Sequence, residues 1–359
     1  MKLNNLNFET WCKNHSSDHQ AKWYRELYPF HIFQKIDFDD RLIKTEQIIN
    51  LNGVQYTIVI LTIESQENGR IKTTFDLKTN AIQVFESTSS TLNDSAFKAY
   101  YVLINTNDPN LQMGVDTTLY RRLTPSAFYE RLVKPTVVMN ASFFEFKNNT
   151  NLNVLVHRGN LLALNKKDIE GKGKDTLTYT HVLNSAMGMQ KNGKMDIAYT
   201  YTDSNSKQVL YQQNPMTPIK NKNARLGLYE DAVKDLKKWK LDWAVGGGPV
   251  LVKDGAIFIS NNEEKKFAGK AIADHHPRTA MGYTKDGYLI LLAVQGRMKN
   301  IAVGTTLTET AKIFIDLGAV EAINLDGGGS SCLLINGKET IKPSDPTGQR
   351  PVPAVFFVK

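Results

Sequence analysis

Residues 322–331 read Ala-Ile-Asn-Leu-Asp-Gly-Gly-Gly-Ser-Ser, a short apolar strand that runs into glycines and serines. The same design recurs in Thr136-Val137-Val138-Met139-Asn140-Ala141-Ser142-Phe143-Phe144 and in Trp243-Ala244-Val245-Gly246-Gly247-Gly248-Pro249. Glycine runs let backbone N–H groups approach a ligand closely and can form anion-binding nests. Each run also reads as an ordinary tight turn. Asp326 sharpens the 322–331 segment. A carboxylate at a strand end beside three glycines and two serines is placed for acid–base, nucleophilic or ligand-binding work. It is equally placed to cap its own backbone in an Asx-type turn, and spacing leaves both readings open.

Outward from these segments the punctuation is that of β-hairpins. Asn52-Gly53, Asn192-Gly193, Asp254-Gly255, Asp286-Gly287 and Asn336-Gly337 each sit between apolar runs. Such pairs are strong hairpin signals because both residues tolerate positive φ. Helices are fewer. Thr306-Leu307-Thr308-Glu309 is a capping box, with Leu307, Ala311, Phe314 and Ile315 on one face and Gly318 as the stop. Thr124-Pro125 opens a second helix running to about Val133. A third is expected over about 228–239, and 203–224, rich in Asn, Gln, Ser, Lys and Pro, reads as a long surface loop. The expected fold is α+β, with antiparallel-rich mixed sheets and a few packed helices. Residues 1–45, dense in His, Trp, Tyr and Phe without a clean period, read as a helical or irregular N-terminal extension. Residues 46–359 read as the main domain.

The chain has 359 residues, with 44 Lys plus Arg against 36 Asp plus Glu, a net charge of +8. That balance suits an anionic substrate or polymer. Nucleic acid is not the expected partner, since basic residues are dispersed and aromatics do not interleave with them. Two cysteines, Cys12 and Cys332, exclude a disulfide scaffold and a cysteine-based zinc ribbon. The longest apolar runs, Tyr56–Ile63 and Tyr288–Val294, are too short to span a bilayer. The first residues lack an apolar signal core. That points to the cytoplasm or, where a signal has been removed, to secretion or the periplasm. Oligomeric state is left open.

Arg278, in Asp274-His275-His276-Pro277-Arg278-Thr279, offers a planar fork suited to phosphate. His275 and His276 are adjacent, point differently and have no spaced third ligand, so they read as structural or substrate-contacting. No Gly-x-x-x-x-Gly-Lys-Ser/Thr loop, Gly-x-Ser-x-Gly elbow or His-Glu-x-x-His is present.

Six motifs in order carry a resemblance. They are Asn-x-x-Phe-Phe (140–144), Gly-Gly-Gly-Pro-Val-Leu-Val-Lys-Asp-Gly (246–255), His-Pro-Arg-Thr-Ala-Met-Gly (276–282), Gln-Gly-Arg (295–297), Asn-Leu-Asp-Gly-Gly-Gly-Ser-Ser (324–331) and Arg-Pro-Val-Pro (350–353). Together they resemble the phosphodiester glycosidase family, which includes bacterial members linked to exopolysaccharide. The resemblance covers about residues 120–359 and is expected to begin in the strands from about residue 52. It implies a hydrolase acting on a sugar, of N-acetylhexosamine type, joined through its anomeric oxygen to a phosphodiester, with no cofactor or metal demanded. It implies Asp326 and Arg278 as catalytic residues, and beside them Glu145 reads as a candidate second carboxylate. It implies Asn140, Gly247, Gly248, Arg297, Gly327, Gly328 and Gly329 at the site, where the glycine N–H groups are expected to form an anion cradle, and His276 and Ser330 read as further substrate-binding candidates. Cleavage of the P–O bond, or anionic-glycan binding without turnover, are the alternatives. The chain departs from the family pattern in having Ala141-Ser142 where two glycines are usual, and Gln295 where an aspartate is usual. If those glycines need positive φ, Ala141 and Ser142 carry strain.

Overall fold

The structure, a computed structural model, describes residues 81–222, 233–268 and 272–359 apart from 88–90 and 93–94, with strands Phe33–Ile36, Leu42–Leu51, Val54–Ile63, Gln66–Glu67 and Arg70–Ile71 before them. Strand Tyr288–Val294 shows how the architecture is built. Leu289, Leu291 and Ala293 face one apolar cluster, while Ile290, Leu292 and Val294 face another. An unbroken apolar run is what a strand covered on both faces requires. Its neighbours Ala99–Asn105 and Arg278–Thr284 extend an eight-stranded sheet that continues through Ala319–Asn324 to Val250–Lys253.

Helix Leu307–Asp316 covers the outer face of that sheet. Its capping box forms as expected: the Thr306 hydroxyl accepts from Glu309 N at 3.1 Å and the Glu309 carboxylate accepts from Thr306 N at 2.9 Å. Gly318 follows with φ +73°. Leu307, Ala311, Ile313 and Phe314 bury against the sheet, and each large side chain there contributes about 1.5–3 kcal/mol. On the inner face the sheet shares one core with two others. A five-stranded sheet supplies Val137, Met139, Leu333 and Phe356, and a seven-stranded sheet supplies Leu155, Met187, Ile197 and Trp243. Helix Pro125–Arg131, capped by Thr124, buries Phe128 against Val138 and Leu334 on the far side of the five-stranded sheet.

Every ladder between described strands is antiparallel, so the sheets are antiparallel rather than mixed. All five Asn-Gly and Asp-Gly pairs join paired strands. Both residues have positive φ at 254–255 and 336–337, whereas at 192–193 and 286–287 only the glycine does. The helix expected over 228–239 is corrected at its end; residues 223–232 lie outside the described residues. Lys237–Lys238 is an edge strand paired with Leu210–Tyr211. The alternation of exposed Lys238 and Lys240 with buried Trp239 and Leu241 is a strand period that outweighs local helix propensity. The surface loop expected over 203–224 contains strands Gln208–Gln212 and Ile219–Asn221. Residues 1–32 lie outside the described residues. Within the expected helical or irregular extension, Phe33–Ile36 is extended and pairs with Ile82–Ser87. No described helix is long and apolar enough to cross a membrane.

Candidate active site

Three strands, one from each large sheet, end within hydrogen-bonding reach of one loop. They are Val137–Asn140, Leu241–Gly246 and Ala319–Asn324. The Asn140 amide donates to the Asp326 carbonyl at 2.6 Å, and Asp326 N donates to Ala141 O at 3.1 Å. Gly248 N donates to Asn324 O at 2.7 Å, and the Asn324 amide returns to Gly248 O at 3.1 Å. The loop then runs beside Pro277–Thr279, with Leu325 N on Thr279 O and Gly328 N on Pro277 O, both at 2.8 Å. The repeated sequence design of strand into small residues is thus one structural unit: small residues let three strand ends approach. A Cβ at Gly247 would lie 2.7 Å from Leu325 Cδ2, and one at Gly327 2.8 Å from Pro277 O.

Asp326 is partly exposed on this loop. Desolvation of its carboxyl pushes its pKa up to about 7; hydrogen bonds from the Ser330 side chain and the Gly327 N–H, and the Arg350 charge, pull the other way. A carboxyl poised there exchanges a proton near neutrality, which general acid–base work requires. Two guanidinium groups lie over the glycines that follow. Arg297 Nη2 is 2.9 Å from where a Gly328 Cβ would sit, and Arg350 occupies the space a Gly329 Cβ would need. Arg350 is fixed by an ion pair with Asp345 at 2.7 Å, reaches Ser330 Oγ at 3.4 Å and lies 5.3 Å from the Phe146 ring centre.

Arg278 is buried; its Nε donates to Thr305 O at 2.9 Å and its Nη2 to Asp274 O at 3.0 Å. Burial, then the nearby Arg297 charge, lowers its pKa to about 10. It lies 5.9 Å from the Phe267 ring, which meets Phe143 edge-on at 6.1 Å, and Lys266 Nζ lies 5.5 Å from the Phe143 ring. Burial lowers the Lys266 pKa to about 8, and its ammonium donates to Asn184 Oδ1 at 2.8 Å. His276 is held by paired main-chain bonds with Thr305, and burial followed by Arg278 and Arg297 lowers its pKa, favouring neutral imidazole.

Several placements differ from what the sequence suggests. The glycine cradle does not form as expected, because its donors are engaged within the protein. Gly247 N bonds Ser185 O, Gly248 N bonds Asn324 O, Gly328 N bonds Pro277 O, and Gly327 N bonds the Asp326 carboxyl. Gly329 is the one amide of the five without such a bond among the described residues, and Arg350 lies against it. Asn140 is fully buried, and its side-chain oxygen accepts from Thr279 Oγ1 at 2.9 Å and Cys332 N at 3.0 Å. It positions the Asp326 loop and presents no surface to a ligand. Glu145 lines a separate hollow of about 270 Å³ with Asn148, Asn151 and Lys166, and no residue of the Asp326 loop lines it. Ala141 and Ser142 do not adopt positive φ, so the departure from glycine there carries no backbone strain. Gln295 is buried and accepts from Lys342 N at 2.8 Å, a structural tie.

Arg350 is the residue whose role sequence reading missed, although its Arg-Pro-Val-Pro motif was in view. No motif marks Glu263-Glu264-Lys265-Lys266, yet the buried Glu264 carboxylate accepts from Ser185 N, Ser185 Oγ, Val250 N and Ser260 Oγ at 2.6–3.0 Å, and it carries Lys266 and Phe267 to the site.

Comparison with known proteins places this architecture in a class. Residues 134–359 match the model of the phosphodiester glycosidase family, and the chain belongs to that family. It is similar to the N-acetylglucosamine-1-phosphodiester alpha-N-acetylglucosaminidases of Bos taurus, 35% identical over 103 residues covering 26% of this chain and 19% of the relative, and of Homo sapiens, 32% identical over 103 residues covering 26% and 20%. The chain thus spans about a fifth of the length of these curated relatives. Among solved structures it is similar in fold to a hypothetical protein from Synechocystis, with TM-score 0.53, 18% identity, and coverage of 88% of this chain and 68% of that one.

Proposed function

We propose that this protein hydrolyses a sugar-1-phosphodiester, of N-acetylhexosamine type, at the anomeric C–O bond, releasing free sugar and a phosphomonoester. The observation that carries the reading is Asp326, a carboxyl with a pKa of about 7 at the meeting point of three strand ends, with Arg297 and Arg350 over the glycines beside it. The leaving group is a phosphate monoester, already a weak base, so it needs less proton donation than a sugar alkoxide and more cationic stabilisation. Arg297 and Arg350 supply that charge, with buried Arg278 behind them. Ionised Asp326 takes the proton of the attacking water or engages the anomeric carbon as oxocarbenium character develops. The names of the curated relatives support this substrate class.

Hydrolysis in ¹⁸O-labelled water tests the reading. Label is expected in the released sugar and none in the phosphate. Label in the phosphate would replace it with P–O cleavage. Binding of a sugar phosphodiester without any turnover would make the chain a glycan-binding module.

A further inference from the structure

The outer face of the seven-stranded sheet carries a groove of about 600 Å³ unconnected with the Asp326 loop. Its floor is apolar, formed by buried Val156, Val209, Trp239 and Leu241. Its rim carries four exposed lysines, Lys191, Lys207, Lys238 and Lys240, and no lining residue is acidic. None of the four makes an ion pair among the described residues. These lysines come from three separate chain segments, so their convergence is a product of the fold. Strand Leu241–Gly246 starts in this groove and ends at the glycines that meet the Asp326 loop. Six residues at about 3.3 Å each put the two places roughly 20 Å apart along the strand.

We propose that this groove is an ancillary binding site for a polymeric sugar phosphodiester, holding a stretch of anionic chain away from the bond being cleaved. The inference rests on the proposed function and specifies a polymeric substrate. Four unpaired ammonium groups around a trough without carboxylates attract a regularly spaced polyanion. Nucleic acid fits less well, since single strands need exposed aromatic faces for base stacking. The one aromatic residue lining the groove, Trp239, is 4% exposed and stacks on Tyr211 at 5.2 Å. A sugar–phosphate backbone asks only for spaced cations and an apolar trough.

The test is equilibrium binding of the full chain to a linear polymer of N-acetylglucosamine-1-phosphate repeats, with single-stranded DNA and neutral dextran as comparison ligands. The polymer is expected to bind more tightly than either. Its binding should weaken roughly 10-fold or more between about 50 and 200 mM salt, as counterion release by several lysines requires. The quadruple substitution of Lys191, Lys207, Lys238 and Lys240 to Gln should weaken polymer binding at least 10-fold with the melting temperature kept. Unchanged polymer affinity in that variant, or preference for DNA in the unsubstituted chain, would overturn the proposal. Binding is read without turnover, so a chain that binds the polymer through these lysines but cleaves no sugar phosphodiester would sink the proposed function and leave the groove standing.

Discussion

The Asn140 side-chain amide donates to the main-chain carbonyl of Asp326 at 2.6 Å, tying the last residue of a strand in one sheet to the loop that follows a strand in another. Asn140→Ala would orphan the Asp326 carbonyl and the Cys332 N–H together, while the Thr279 hydroxyl would keep its bond to Ser331 Oγ. Leaving one buried group unsatisfied costs about 1–3 kcal/mol, so denaturant unfolding should show a loss of at least about 2 kcal/mol, with turnover lowered as well. A loss of stability with turnover unchanged would show that the bond to Asp326 does not govern the loop.

Asp326→Asn should lower turnover about 10²–10⁴-fold, the range for a lost acid–base group, with the fold intact. The pH dependence has a definite sign. The folded-state pKa of about 7 lies above the ordinary carboxylate value of 3.8, so the native state holds this proton more tightly than the unfolded chain does. Stability from this group is full below about pH 4 and is lost as pH rises from there through about 7. Melting curves across that window should therefore slope less in Asp326→Asn than in the unsubstituted protein. If Asp326 works ionised, kcat/KM should rise through pH 7. An unchanged slope, with normal turnover, would return Asp326 to a turn-capping role.

Gly329→Ala places a methyl group where the Arg350 guanidinium lies. Arg350 should be displaced, raising KM for a sugar phosphodiester about 10-fold or more while inhibition by the uncharged free sugar is unaffected. Arg350→Lys should act in the same direction, because a lysine cannot keep the Asp345 ion pair and the Ser330 contact in one planar geometry. Equal loss for charged and uncharged ligands would assign Arg350 to the scaffold.

Arg278→Lys separates two roles of one side chain. Its two guanidinium bonds to Thr305 O and Asp274 O are made in different directions, and an ammonium on a shorter stem cannot reproduce both. Loss of one bond should cost about 1–2 kcal/mol in unfolding free energy. Weaker binding of the phosphodiester beyond that of the free sugar would show that the planar guanidinium of Arg278 also contacts the phosphate. An effect on stability alone would make it purely a support for the 274–278 and 305 segments.

Much of the fold was legible because it depends on neighbours in sequence. The Thr306 capping box, the Thr124-Pro125 helix start and the five Asn-Gly and Asp-Gly hairpins are local chemistry, and all form. The hairpin at Arg158-Gly159 was missed because arginine is a poor turn signal, though both residues take positive φ. The segment 237–239 was misread because a short edge strand of alternating lysine and apolar residues looks like a helix end when its partner strand is unknown. In the site, the three segments of strand into small residues were visible, but their meeting was not, since it joins residues far apart in the chain. The glycines were read as donors. Most serve instead to remove bulk, as at Gly247, where a side chain would strike Leu325, a contact that only tertiary packing creates.

The wide spacing of paired strands along the chain has a kinetic consequence. Thr117 and Pro353 are hydrogen-bonded across a separation of 236 residues, and Ala99–Asn105 pairs with Tyr288–Val294 across much of the molecule. Pairings this remote must close very long loops before they return any stability, and folding slows accordingly. During synthesis the earlier partner waits without its mate. Ala99–Asn105, uncharged and buried on both faces in the native sheet, is that waiting partner and is open to self-association until Tyr288–Val294 is made. A strand that is doubly covered in the native sheet is thus an aggregation hazard on the way to it, and recovery of soluble protein should be sensitive to how quickly Tyr288–Val294 pairs with Ala99–Asn105.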